Sequence, residues 1–427
     1  MKPEGKDGMS INPLTVMKEL DFERITGTAG ERRARRILAG YLTRLKVAHR
    51  EHSFRIRTSD RGQATLRIGG KTIPVHPFGL CGRLDLSAPL VFVENLDLLH
   101  YTPGRHTGRL VMFYESSLPL REIKTTNRLA GLIRIGRPDQ PPTSYNLPQR
   151  EFKGVPTVPM VSIAYADAES LIPLSGHRAR LTVSQRTHIT RAANLVASIP
   201  GSEPDGTLTY AVAHYDCPAG TNGASDNGAG TVNLLSVAEY FARNPPKRDL
   251  TCIFCSGEEL GLKGSSSYVR DHLKEVRTRG RLAINLDLSG EPIGQNVFMV
   301  TGTPELKGYV GAVAREDGFL FKETLDIYSS DNMPFAYEEV PAVSIARIGG
   351  RAGARIHSAL DRVENLSRAG LEQTSGAAIA ILRRVLNARI YPIRREIDPS
   401  LREKVEKYQY NSTREKPDLH WRAAYEK

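Results

Sequence analysis

The sequence predicts an α/β fold: a mixed, mostly parallel sheet flanked by helices, interrupted by an inserted β-rich domain. Three observations predict it. Residues 208–212, 250–255 and 282–286 are unbroken apolar runs, the pattern of strands buried on both faces. Between the first two, Val232, Leu235, Ala238 and Phe241 recur at helical spacing and stop at Asn244-Pro245-Pro246. Over residues 62–187 the pattern shifts to short β-type runs separated by glycine and proline turns.

At 427 residues the chain has room for one large domain and one insert. Residues 1–61 read as the first part of the large domain. Ala34, Ile37, Leu38, Tyr41, Leu42 and Leu45 place an amphipathic helix over 30–46, and a strand follows over 52–57. The insert, 62–187, has β-type runs at 64–68, 90–93, 110–114 and 132–135. The large domain resumes over 188–390. Beyond the three apolar runs it holds strands at 296–300 and 342–346 and a helix over 304–315. A glycine-rich loop, Gly-Gly-Arg-Ala-Gly-Ala-Arg, follows, and the final core helix is expected over 366–390. Residues 391–427 form a charged extension with the sole tryptophan, Trp421, expected to dock loosely.

The net charge is +12. Its basic residues are scattered rather than interleaved with aromatics, so a nucleic-acid partner is not expected. No stretch approaches the ~20 apolar residues of a membrane span, and the opening segment lacks the apolar stretch of a signal peptide. The four cysteines form no disulfide framework, which fits a cytoplasmic setting. Cys252 and Cys255 lie on opposite faces of one strand and read as core, and Cys217 reads as a small filler.

Functional groups gather beyond the carboxyl ends of parallel strands. His214, Glu258, Glu259 and Asp287 each follow an apolar run, so one crevice can collect them. Histidines and carboxylates are the usual ligands of a catalytic zinc. Five candidates, His214, Asp226, Glu259, Asp287 and His357, exceed the needs of one ion and suit two, about 3.5–4 Å apart with a bridging carboxylate. Asp226 is the natural bridge, because it lies on a glycine-rich loop between strands carrying the others. Glu258 is left free as a general base for an attacking water. Asp216 is placed to orient His214, and Asp361 to take the other ring N–H of His357.

The fragments His-Tyr-Asp (214–216), Gly-Ala-Ser-Asp-Asn-Gly-Ala-Gly (223–230), Gly-Glu-Glu-Leu-Gly-Leu-Lys-Gly (257–264), Asn-Leu-Asp (285–287), Ser-Asp-Asn-Met-Pro-Phe (330–335) and His-Ser-Ala-Leu-Asp (357–361) stand in a fixed order. This order resembles the M28 family of di-zinc peptidases, a zinc-exopeptidase-like fold that includes aminopeptidases, glutamate carboxypeptidases and glutaminyl cyclases. The resemblance implies that His214 and Asp287 hold one zinc, Glu259 and His357 the other, and that Asp226 bridges. It implies Glu258 as the base and a cis peptide after Asp226. Residues 192–201 resemble the family's entry strand. The segment 154–172 resembles the close of a protease-associated (PA) domain, inserted at this point in many relatives and shaping access to the cleft.

Two departures stand out. Asn332 replaces the histidine usual after Asp331, and Ile356 replaces a tyrosine common before His357. The second leaves Tyr328 as a candidate oxyanion donor. The expected activity is a peptidase using two Zn2+, or other divalent metals, to remove N-terminal residues from peptides. Asp331, with the site acids, is a candidate partner for the substrate amine. A carboxypeptidase would instead need a cationic cluster, for which Arg347, Arg351 and Arg355 are candidates. The same core would also serve a one-zinc glutaminyl cyclase or a non-catalytic binding relative, and it leaves room for oligomerisation.

Overall fold

The structure, a computed structural model, describes residues 11–117, 127–147 and 158–413. Fifteen strands are formed among these residues. The first, β1 (Ala48–Ser59), leads into seven strands of the insert: β2 (Ala64–Ile68), β3 (Lys71–Pro77), β4 (Arg83–Asn95), β5 (Leu110–Glu115), β6 (Gly131–Ile135), β7 (Met160–Ile163) and β8 (Arg178–Ser184). The rest are β9 (Thr187–Ile199), β10 (Leu208–His214), β11 (Asp249–Cys255), β12 (Gly280–Leu286), β13 (Gln295–Thr301), β14 (Lys322–Leu325) and β15 (Ala342–Ile348).

Eight strands make one sheet in the order β1-β9-β11-β10-β12-β15-β13-β14. The centre is parallel, through β11, β10, β12 and β15. Antiparallel pairing joins β1 to β9, β9 to β11, and β13 to β15. The sheet is therefore mixed and its centre is buried on both faces. Alternate residues of one strand supply separate cores. Ala211, Ala213, Cys252 and Phe254 pack beneath the helices Ala29–Arg44, Ala229–Arg243 and Arg368–Asn387. Tyr210, Val212, Ile253 and Cys255 face Tyr268, Val276 and Phe335 on the other side. Cys252 and Cys255 are thus free thiols on opposite faces.

The insert fills the gap between the two arms of a long antiparallel hairpin. Strands β1 and β9 stay paired to Ser59↔Thr187, and the chain between them closes into a barrel ordered β2-β3-β7-β6-β5-β4-β8. Leu66, Leu90, Met112, Ile133, Val161 and Leu181 fill its core, and closure leaves no free strand edge. The barrel therefore has its own core and adds none of these residues to the sheet's core clusters.

Two sequence expectations need correction. The Gly-Gly-Arg-Ala-Gly-Ala-Arg segment is not all loop, because Arg351–Arg355 forms a short helix with Ala352 buried beneath it. The helix Arg368–Asn387 is not the last, and the described part of the extension is packed rather than loosely docked. Pro399–Thr413 is helical, and Leu401 and Val405 are buried against Leu262, Met333, Ala336 and Tyr337. Periodicity in this charged stretch is weak, but two apolar anchors one turn apart suffice once a complementary face exists. Trp421 and part of the 154–172 segment lie outside the described residues. No described helix is long and apolar enough to cross a membrane.

Candidate metal centre

The expected ligands sit where strands and helices run out of backbone partners. His214 is the last residue of β10, and Asp287 follows the end of β12. Glu258 and Glu259 follow β11 across a turn at Gly257, whose φ of +80° favours glycine. Asp226 lies in the turn Ala224–Gly228 before the helix Ala229–Arg243, and its peptide bond to Asn227 is cis. His357 follows the helix Arg351–Arg355.

The ligand atoms converge on two neighbouring points. His214 Nε2 lies 3.4 Å from Asp226 Oδ1 and 3.6 Å from Asp287 Oδ1. His357 Nε2 lies 3.0 Å from Asp226 Oδ2 and 3.5 Å from Glu259 Oε1. The two triads share Asp226, which turns one oxygen to each histidine. A tetrahedral ion with bonds of about 2.0–2.1 Å spaces its ligands about 3.3 Å apart, so the four histidine–carboxylate distances are close to the spacing a zinc requires. Glu259 Oε1 and Asp287 Oδ1 are buried without a hydrogen-bond partner, as oxygens reserved for a cation would be.

The electrostatics point the same way. Burial, then the charges of Glu259, Asp331 and Asp287, push the Glu258 carboxyl well above its usual range against the pull of His214. Burial opposes a charged His214, yet Glu258, Asp216, Asp226 and Asp287 outweigh it and push the imidazole well above its ordinary value. Burial also opposes ionised Asp226, but bonds from His214 and His357 hold its carboxyl well below the usual range. Glutamate carboxyls driven toward neutrality, beside an ionised Asp226 and imidazoles driven toward protonation, mark an anionic pocket that a divalent cation would satisfy.

The surrounding braces are mostly main-chain groups. His214 Nδ1 lies 3.3 Å from the Asp216 main-chain carbonyl and 3.6 Å from its Oδ1, and the Asp216 carboxylate accepts bonds from Thr26 Oγ1 and the amides of Glu258 and Glu259. One residue thus holds a histidine through its carbonyl and, through its carboxylate, the turn that carries two glutamates. Asn227 donates to the Leu286 carbonyl at 2.8 Å, tying the Asp226 turn to the strand that delivers Asp287. Arg24 is buried and donates to the carbonyls of Tyr215, Asn222 and Gly223, pinning the loop between His214 and Asp226. Cys217 accepts a bond from the Arg24 amide and donates to the Thr221 carbonyl, and burial pushes its thiol up to about 12, in keeping with a small buried filler.

Three other expectations change. Asp361 does not orient His357. Its two oxygens accept the amides of Ser225 at 2.7 Å and Asp226 at 3.1 Å, so it supports the bridging residue instead. Asp331 is fully buried and accepts a bond from Ser265, so it has no surface to offer a substrate. Arg347 spends its fork on the carbonyls of Glu291 and Pro292 and on Asn296 Oδ1. A guanidinium near unpaired carbonyls satisfies them before it can serve a ligand. Tyr328 is half-buried, in the segment that follows β14. Burial, then the charges of Asp287, Asp226 and Glu258, hold its phenol well above the ordinary value.

Residues 194–382 match the description Peptidase family M28. This stretch, which runs from β9 through most of the helix Arg368–Asn387, is therefore similar to an M28 peptidase domain. Aminopeptidase YwaD of Bacillus subtilis is 26% identical over 389 residues, covering 87% of this chain and 83% of that protein. Carboxypeptidase Q of Xenopus laevis is 25% identical over 304 residues, covering 64% and 61%. Among solved structures, BSAP, a zinc aminopeptidase from Bacillus subtilis, superposes with a TM-score of 0.75 at 22% identity, covering 91% of this chain and 98% of that one. The peptidase M28 precursor from Shewanella amazonensis gives 0.76 at 18% identity, covering 91% and 95%. Coverage of this extent takes in the barrel, so the fold of the peptidase domain together with a PA-like insert is shared. The peptidase domain is of the catalytic, metal-dependent type, with a clustered donor set for two zinc ions.

Sequence reasoning missed Tyr145 and Asn146. Tyr145 stands edge-on to the His357 ring at 4.7 Å, and Asn146 donates to the Glu259 carbonyl at 2.9 Å. Both belong to the insert, in a segment whose only local signal is turn composition, so nothing in the pattern links them to a ligand more than a hundred residues away.

Proposed function

We propose that the chain is an exopeptidase of the aminopeptidase type that releases N-terminal residues from peptides at a dinuclear zinc centre. The observation that carries this reading is the pair of triads sharing Asp226; Glu258 lies beside both, clustered with His214 and Glu259, its Oε2 3.9 Å from His214 Nε2. In this reading His214 and Asp287 hold one ion, Glu259 and His357 the other, and Asp226 bridges them. Bound there, two divalent cations supply Lewis-acid polarisation of the scissile carbonyl and a nucleophile at neutral pH. Glu258 accepts a proton from the attacking water and delivers it to the leaving amine. Asp216 fixes the His214 ring, and Tyr328 is the donor to the developing oxyanion.

The amine end of the substrate is favoured because the pocket is crowded with acids, and because Arg347 is engaged elsewhere. Arg355 likewise donates to Asn365. The test is a set of peptides differing only at their termini. Acetylating the amine is expected to abolish cleavage, while amidating the carboxylate changes it little. A chelator should remove activity and added zinc restore it. Cleavage that survives acetylation but is lost on amidation would reverse the assignment.

A further inference from the structure

The segment Thr143 to Leu147 links β6 to β7 of the barrel, across residues only partly described. It is fixed to the barrel at both ends. Ser162 Oγ donates to the Thr143 carbonyl at 2.8 Å. The Gly79 amide donates to the Tyr145 carbonyl, and the Leu147 amide to the Gly79 carbonyl, each at 2.8 Å. Leu147 is buried in a core cluster of the barrel.

The three residues in the middle face the other way. The Ser144 amide donates to the His357 carbonyl at 2.7 Å. The Tyr145 ring meets the His357 ring edge-on, and the Arg134 guanidinium lies 4.6 Å over the same tyrosine. Asn146 Nδ2 donates to the Glu259 carbonyl at 2.9 Å. Three consecutive residues of the insert therefore hold the two ligands assigned to one ion, Glu259 and His357. The described contacts of the other pair stay within the peptidase domain: His214 leans on Asp216 and Thr231, and the Asp287 amide donates to Ile345.

His357 needs such support. A metal-binding histidine normally gives its second ring nitrogen to a carboxylate or carbonyl, which sets the ring's orientation. His357 Nδ1 is buried with no partner, and its backbone sits at φ 61°, uncommon for a residue with a side chain. The ring's direction is therefore set by packing on Tyr145 and by the main-chain bond to Ser144.

We infer that the barrel segment Ser144–Asn146 is a positioning strap for the Glu259–His357 half of the metal centre, so that the affinity of this one site depends on the insert. The inference rests on the two-metal reading above and adds to it a division of labour between the sites.

The experiment is calorimetric titration of zinc, buffered by a competing chelator, into metal-free full-length protein. Asn146→Ala and Tyr145→Ala are expected to weaken one of two binding steps about 10–100-fold, the range for losing a group that orients a ligand. The other step should stay within twofold. The weakened step must be the one that His357→Ala abolishes, not the one that Asp287→Ala abolishes. Gly79→Ala tests the strap from a distance. A Cβ there would lie 1.6 Å from Asn146 Oδ1, so the alanine must displace Asn146 although residue 79 is not among the candidate ligands. If Tyr145→Ala or Gly79→Ala fails to fold, Asn146→Asp carries the same expectation, because an ionised carboxylate cannot donate to the Glu259 carbonyl. Unchanged steps, or equal weakening of both, would overturn the strap while leaving two metals in place. A wild-type titration showing a single zinc would bring down the dinuclear reading itself, and the strap with it.

Discussion

The two halves of the metal centre are built by different means. His214 and Asp287 end adjacent parallel strands, β10 and β12, whose pairing runs to Val212↔Asn285. Their separation is set by the spacing between strands, about 4.8 Å, and by the pleat. Both side chains are nearly sealed, at 1% and 8% exposure. Glu259 and His357 instead come from a turn and from a loop after a one-turn helix, and His357 is 17% exposed. Loops alone hold geometry poorly, and here an inserted barrel supports them. The comparison teaches that a sheet can place two ligands of one site unaided, whereas the matching pair of the other site can be held from outside the sheet's core.

The residue both halves share tests this most severely. Asp226→Ala should empty both sites and abolish turnover, while Asp287→Ala and Glu259→Ala each cost one metal. Elemental analysis of the dialysed proteins reads the difference, and equal metal content in all three would break the idea of a shared ligand. Glu258→Gln comes next. It should keep both metals and lower kcat by about 10²–10⁴, the usual share of general acid–base catalysis. Near-normal turnover at full occupancy would take Glu258 out of the role. The smallest effect is expected at Asp361, which supports the bridge rather than either half. Asp361→Ala leaves the amides of Ser225 and Asp226 without their acceptor, at a cost of about 1–3 kcal/mol each. Urea unfolding of the metal-free protein should show that loss, and both zinc-binding steps should weaken together. Weakening of one step only would mean that Asp361 serves a single half.

Much of this arrangement was legible in the chain. Apolar runs ending in His214 and Cys255, and before Asp287, mark buried strands, and residues past their carboxyl ends share a crevice by the topology of parallel sheets. The change of pattern after residue 61 marks a separate β unit, and a barrel with its own core stands there. These features follow from hydrophobic periodicity, which is local and is imposed wherever a segment must bury one or two faces.

What the tertiary structure decided is where polar groups find their partners. Asp361 lies four residues from His357, but two unsatisfied amides of a distant turn claim its oxygens. Arg347 was a candidate clamp for a carboxylate, but the carbonyls of Glu291 and Pro292 claim its fork. Tyr145 and Asn146 reach Glu259 and His357 only because the barrel folds back over the ends of the strands. The charged extension packs because Met333, Ala336 and Tyr337 offer an apolar face that its own sequence does not reveal. A hydrogen bond or an apolar anchor answers to groups left open elsewhere in the fold, so sequence spacing names the donors and acceptors while only the assembled chain pairs them.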